Sequence, residues 1–384
     1  MIIRKPGLYA RAFSAFFKAI SNSNNLIPYS CFTDICPYVR LFSDLQIENK
    51  YEKGAVIMTE KENIILAFDG KMPEKTPCFW TAAQLILSSA VKNIPTLGLT
   101  EGYDWFGVHW TATEDTGWMF SPTADKPHVL TDITKWREQV KFPDIEKIDW
   151  ETAAANDMMF FNIDRENKVM DYYHGNGIFE RLHFLMGFEE AMVAIIEEPE
   201  AVYDLMGAVA DMYIAIAEKI DQYYKPDYYI FLDDYAHRLG LFVSPATFDK
   251  LFAPHLKRIV DFVGTTGMKF KMHCCGMQEL LLDNFYKIGI RRFDPGQPCN
   301  DLVAMKKRYP DIAIMGGLDI QGVVDYPGVT EEQLRAEVRR CIREYGPMGG
   351  YIIFGATVAL YMPEAYAPGQ KMGIILDEYY KNVT

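Results

Sequence analysis

The residues best suited to chemistry stand together at His273-Cys274-Cys275-Gly276. At the end of an extended strand, positions two apart project to the same side, so His273 and Cys275 can converge on one ion while Cys274 faces away. An imidazole and a thiolate suit Zn²⁺, which also accepts a carboxylate oxygen. Carboxylates recur in comparable settings: Asp233 with Asp234, then Asp294, then Asp319. Asp233, Asp234 and Asp294 are candidates for a third ligand or a general acid; helix capping is the alternative role for any of them taken singly. His174 and His237 also follow expected strand ends, and Trp105 sits in an aromatic stretch able to line an apolar mouth. These three, with Asp319, are candidate substrate contacts.

Such residues need elements that bring them to one face. From Pro199 onward the chain alternates helix and strand. Val202, Leu205, Met206, Val209, Met212, Tyr213, Ile216 and Ile220 recur at helical spacing between Glu200 and Tyr224, and Lys225-Pro226-Asp227 breaks the helix. The apolar run Tyr228 to Leu232 then ends in Asp233-Asp234, the pattern of a buried parallel strand reaching solvent at its carboxyl end. Ser244-Pro245 supplies an N-cap and a first-turn proline for the next helix. Strands are predicted at Met268 to Met272, Ile290 to Phe293, Ile312 to Met315 and Tyr351 to Phe354, each followed by Gly, Asp, His or Cys. Earlier candidates are Lys168 to Tyr173 and, as the first strand, Pro77 to Trp80; the region Gly102 to Pro143 reads as long loops over the rim. No phosphate-binding glycine motif of an open doubly wound sheet is present. The expected fold is an α/β (β/α)8 TIM barrel over residues 58–384, with residues 1–57 as a partly helical N-terminal extension.

The 384 residues are 49% hydrophobic and 24% charged, enough to bury a sizeable core. Against 52 Asp and Glu stand 39 Lys and Arg, a net charge of -13, which argues against a nucleic-acid partner. No signal-type apolar region or membrane-length apolar run is visible, so a cytoplasmic protein is expected. Seven scattered cysteines fit free thiols or metal ligands better than a disulfide framework.

The sequence resembles the uroporphyrinogen decarboxylase superfamily, and within it the corrinoid-dependent methyltransferases. The likeness runs from about Met58 to the C-terminus. Its landmarks are Met58-Thr59-Glu60-Lys61-Glu62-Asn63 before Gly70-Lys71-Met72-Pro73, Asp104-Trp105-Phe106-Gly107-Val108-His109-Trp110, and Phe142-Pro143-Asp144. They continue with Met186-Gly187-Phe188-Glu189-Glu190, Asp233-Asp234 before Ser244-Pro245, His273-Cys274-Cys275-Gly276, and Gly316-Gly317-Leu318-Asp319. The resemblance implies a zinc barrel that moves a methyl group between a small substrate and the cobalt of a corrinoid (cobalamin) on a separate protein, with His273 and Cys275 as zinc ligands. The Arg-Gln-Ala-Gly-Arg segment with which the decarboxylases grip porphyrin carboxylates is missing, which makes porphyrinogen decarboxylation the alternative. Members that methylate a thiol carry a further cysteine after the last strand, where this chain has Gly355-Ala356-Thr357-Val358-Ala359. The expected reaction is therefore O-demethylation, with a methoxylated aromatic or other methyl ether as donor and a corrinoid protein as acceptor.

Overall fold

The computed structural model describes residues 58–95, 100–113, 120–355 and 369–383. The expected N-terminal extension, residues 1–57, lies outside them. The described strands are β1 (Ala83–Ile86), β2 (Glu101–Tyr103), β3 (His109–Ala112), β4 (Phe120–Pro122), β5 (Val169–His174), β6 (Tyr228–Leu232), β7 (Ala236–His237), β8 (Gly240–Leu241), β9 (Lys269–His273), β10 (Arg292–Gly296), β11 (Ala313–Gly317) and β12 (Tyr351–Phe354). They fall in two compact units, one from the described parts of 87–163 and 181–205, the other from those of 54–86, 164–180 and 206–384.

The larger unit is built on a seven-stranded sheet, β1-β5-β6-β9-β10-β11-β12, parallel throughout. Its two ends are joined by one segment. Cys78 pairs in parallel with Ile353 of β12, whose N–H donates to the Pro77 carbonyl at 3.0 Å, while β1 a few residues on pairs with β5. The architecture is TIM-barrel-like, its parallel sheet having seven strands among the described residues. The first strand expected at Pro77 to Trp80 starts later than its sequence suggests. Phe79 to Ala82 make a helical turn that sets Phe79 and Trp80 against Phe354, at ring-centroid distances of 5.0 and 5.6 Å, and only then does β1 begin. Packing at that corner overrides the extended preference.

Helix Glu60–Phe68 is started by a capping box: the Thr59 hydroxyl accepts from the Glu62 N–H, and the Glu62 carboxylate accepts from the Thr59 N–H. Its Ile64, Ala67 and Phe68 pack with Val169, Tyr228, Ala313, Met315, Ile352 and Phe354 from four strands of the sheet. Each large apolar side chain so buried contributes about 1.5–3 kcal/mol. Ser244 caps helix Pro245–Leu251 through the Thr247 N–H, and Thr330 with Gln333 forms a capping box on helix Glu331–Tyr345. Among the described residues no helix is long and apolar enough to cross a membrane.

The smaller unit corrects one expectation. Within the region read as loops, β2, β3 and β4 form an antiparallel sheet. Its strands have three or four residues each, too short for alternation to stand out, although the buried Trp110 and Ala112 of β3 alternate with the more exposed His109 and Thr111. The turn from β2 to β3 is held by Asp104, whose Oδ1 accepts from the N–H groups of Phe106 and Val108, both at 2.9 Å.

Candidate metal centre

Register in the larger unit decides which strand-end residues meet. β6 lies beside β9 with Leu232 opposite His273, and β10 lies on the other side of β9 with Asp294 opposite His273. The ladder continues past the strand ends: the Asp233 N–H donates to the His273 carbonyl at 2.9 Å, and the Cys274 N–H to that of Asp294 at 2.8 Å. Residues 233–234, 273–275 and 294 are therefore neighbours at the carboxyl ends of three adjacent strands, where barrel enzymes place their chemistry.

Asp234, His273 and Cys275 come together there, each offering a ligand atom within 4.8 Å of the others, and each half-buried. Cys275 Sγ lies 3.6 Å from His273 Nε2, and Asp234 Oδ1 accepts the Cys275 backbone N–H at 2.6 Å. The second nitrogen of the imidazole, Nδ1, is 2.5 Å from Asp294 Oδ1. A carboxylate behind a histidine fixes its tautomer and turns the other nitrogen outward, as in histidine ligands generally. The turn after Cys275 requires glycine. Gly276 has φ +79°, and a Cβ there would stand 2.5 Å from the His237 carbonyl carbon.

Three groups of this cluster are shifted toward holding protons. Burial raises the Asp234 carboxyl, with His273 pulling the other way. Burial and then the Asp234 charge raise the Cys275 thiol well above its ordinary value. Burial works against a charged His273, but Asp294 and Asp234 outweigh it and the imidazole is raised. A cation bound here would displace those protons, since an ionised carboxylate, a thiolate and a neutral ring nitrogen are the forms that ligate it. The donor set of one carboxylate, one imidazole and one thiol suits Zn²⁺.

Beneath the cluster, alternation on β9 puts Lys269 and Lys271 on the same face as His273. Lys271 Nζ is 2.5 Å from Asp171 Oδ2 of β5 and 3.8 Å from Asp294 Oδ2. Burial raises the Asp171 carboxyl to about 6, with Lys271 opposing. Lower still, Lys269 and Arg292 both reach Asp69, at 2.6 and 3.3 Å. Charged residues at alternate positions of strands buried on both faces were a signal available in the sequence, and it concerns Asp171 and Lys271 above all.

The remaining candidates lie elsewhere. Asp233 is fully buried and accepts the N–H groups of Phe179 and Glu180, at 3.2 and 2.9 Å, at the start of helix Ile178–Met186. Gly177 lets it approach, since a Cβ there would fall 2.3 Å from the Asp233 Cβ. His174 is buried with Nδ1 2.9 Å from the Tyr229 hydroxyl and its ring stacked on Phe231; the inward position on β5 belongs to Tyr173, whose ring is 6.5 Å from that of His273. His237 is exposed in the β7–β8 hairpin, stacked on Phe242, beside Gly276. Asp319 caps the turn that follows β11 by accepting the Gly322 N–H at 2.8 Å. Trp105 belongs to the smaller unit, where its indole N–H donates to Asn93 Oδ1 at 2.9 Å. Residues 356–359, which hold no cysteine, lie outside the described residues.

Residues 176–365 match the uroporphyrinogen decarboxylase (URO-D) family. Among solved structures the chain is similar to a methyltransferase from Methanosarcina mazei, with a TM-score of 0.62 and 12% identity, covering 84% of this chain and 99% of that one. At that identity the likeness is one of fold. No curated protein sequence matches the chain.

Proposed function

We propose that this chain, which carries a uroporphyrinogen decarboxylase family domain over residues 176–365, is a zinc-dependent methyltransferase. It takes a methyl group from a small methylated substrate, a methoxylated aromatic or other methyl ether, and passes it to the cobalt of a corrinoid (cobalamin) carried by a partner protein. The observation that carries this reading is the Asp234, His273 and Cys275 cluster at the carboxyl ends of two adjacent strands, β6 and β9. The similarity to the archaeal methyltransferase supports the choice of group transferred.

Asp234, His273 and Cys275 would hold the ion. Bound there, Zn²⁺ supplies Lewis acidity toward the ether oxygen, whose departing charge needs a nearby cation. Asp294 keeps the His273 proton on Nδ1, so that Nε2 stays a lone-pair donor. Asp234 offers the ion an ionised carboxylate, and the oxygen the substrate keeps takes its proton from water. His237, exposed and with its backbone against the Gly276 turn, would contact substrate, whereas Asp233 acts on the backbone of helix Ile178–Met186.

The test is zinc content after dialysis against a weak chelator, for the wild type and Cys275→Ser, followed by methyl transfer from a panel of methoxylated aromatics to cob(I)alamin, read by its absorbance. About one zinc per chain, lost in the variant along with transfer, is expected. A zinc-free wild type, or turnover of uroporphyrinogen without any corrinoid, would overturn the proposal.

A further inference from the structure

Lys271 is an ammonium group sealed inside the barrel, and the proposed reaction does not itself use it. Its side chain and that of Asp171 are fully buried, and that of Asp294 is 1% exposed. Besides the two carboxylates, Lys271 Nζ meets apolar matter: Met315 Sδ at 3.7 Å, and the rings of Phe68 and Phe79 at 4.4 and 5.2 Å from their centroids. Burying such a charge is costly unless it is paired, and apolar residues could fill the same volume without that cost. Two arrangements of charge could justify its presence. Lys271 could serve Asp171 alone, as a self-contained ion pair, or it could act upward through Asp294.

The geometry favours the second. Lys271 and His273 are alternate residues of β9 and project to one side, and Asp294 on the adjacent strand has one oxygen toward each: Oδ2 3.8 Å from Lys271 Nζ and Oδ1 2.5 Å from His273 Nδ1. Asp171, across β6 from β9, holds the ammonium from its other side at 2.5 Å. We propose that Lys271 is a positioning residue of the metal centre, anchoring the Asp294 carboxylate so that His273 keeps its proton on Nδ1 and presents Nε2 to the ion beside Asp234 and Cys275. Removing the ammonium frees Asp294 to rotate and weakens the ligand it orients. Partners behind a metal-binding histidine typically change metal affinity by about 10–100-fold.

This inference rests on the reading of Asp234, His273 and Cys275 as zinc ligands. Its test compares the wild type with Lys271→Met and with the double variant Asp171→Asn/Lys271→Met, measuring zinc dissociation constants by chelator competition and melting temperatures of the metal-free proteins. Lys271→Met leaves Asp171 without its cation and should melt well below the wild type. The double variant removes both members of that pair and should recover most of the loss in melting temperature, yet bind zinc at least about tenfold more weakly. A double variant with wild-type zinc affinity would show that Lys271 serves Asp171 only, and would overturn the inference while leaving the zinc reading intact. A wild type that binds no zinc would instead remove the zinc reading, and this inference with it. Histidine ¹⁵N NMR of the metal-free wild type, recorded at a pH where His273 is neutral, gives a measurement independent of any variant's folding: the ring should carry its proton on Nδ1, and an Nε2–H tautomer would also overturn the inference.

Discussion

The backbone N–H of Cys275 donates to Asp234 Oδ1 at 2.6 Å, tying the turn after β9 to the end of β6 through a residue that is itself in the metal cluster. The carboxylate therefore has a structural duty and an electrostatic one, and Asp234→Asn separates them. Asparagine keeps an oxygen for the Cys275 N–H but loses the charge. Zinc affinity should fall at least about tenfold, with a change in melting temperature of only a few degrees. Chelator competition alongside thermal melting checks both. Unchanged zinc affinity would exclude Asp234 from the ligand set.

The His273 and Cys275 pair could be read from the sequence because period-two alternation needs only the strand and its end. The company it keeps could not. Asp234 and Asp294 lie 39 and 21 positions from His273 and meet it through strand register, which spacing does not encode. Parity was equally hidden: His273 faces the barrel interior, whereas His174, at the end of an equally apolar strand, faces away and packs on Tyr229, Phe231 and Tyr213. Of the adjacent Asp233 and Asp234, one acts on helix backbone and the other joins the cluster, a division made by a single residue step. The helices and parallel strands after Pro199 were legible because their caps and breakers are local, and β2 to β4 were not, because three or four residues show too little pattern.

Gly276→Ala tests the turn that presents Cys275. The added methyl would meet the His237 backbone, and φ +79° is unfavourable for any residue with a Cβ. The N–H of Gly276 also donates to Gln297 Oε1 at 2.6 Å, so the turn is held from two sides and has little room to relax. A loss of at least about 1–3 kcal/mol of stability is expected, together with weaker zinc binding, since Cys275 is the preceding residue. Urea unfolding and chelator competition read the two effects. A variant indistinguishable from the wild type in both would show that the turn is softer than this geometry implies.

The Asp104 motif of the smaller unit invites a different experiment. Asp104 and Arg181 are paired at 2.7 Å with both side chains fully buried, and the guanidinium lies 4.4 Å from the centroid of Phe106. Arg181→Met leaves Asp104 buried without its cation and should cost about 3–5 kcal/mol in urea unfolding. Asp104→Asn in the same chain should return part of that loss, because the remaining group is neutral and can still accept the N–H groups of Phe106 and Val108. Strictly additive losses would mean that the two side chains are not energetically coupled.

Asp233 gives the fold a pH dependence of a definite sign. Burial pushes its carboxyl to about 7 from 3.8, although the N–H groups of Phe179 and Glu180 pull the other way. Between those two values the folded protein holds a proton here that the unfolded chain releases. The stability contributed by this group is therefore complete below the unfolded value and is lost as pH rises through the folded one. Asp233→Asn stays neutral and has no such slope, so the difference between wild type and variant isolates Asp233 from every other titrating group. On raising the pH from 5 to 8, the wild type should lose on the order of 1–3 kcal/mol relative to the variant, read by urea unfolding at both values. A difference that is flat, or that grows in favour of the wild type with rising pH, would mean that Asp233 is ionised across this range and that its two N–H partners outweigh its burial.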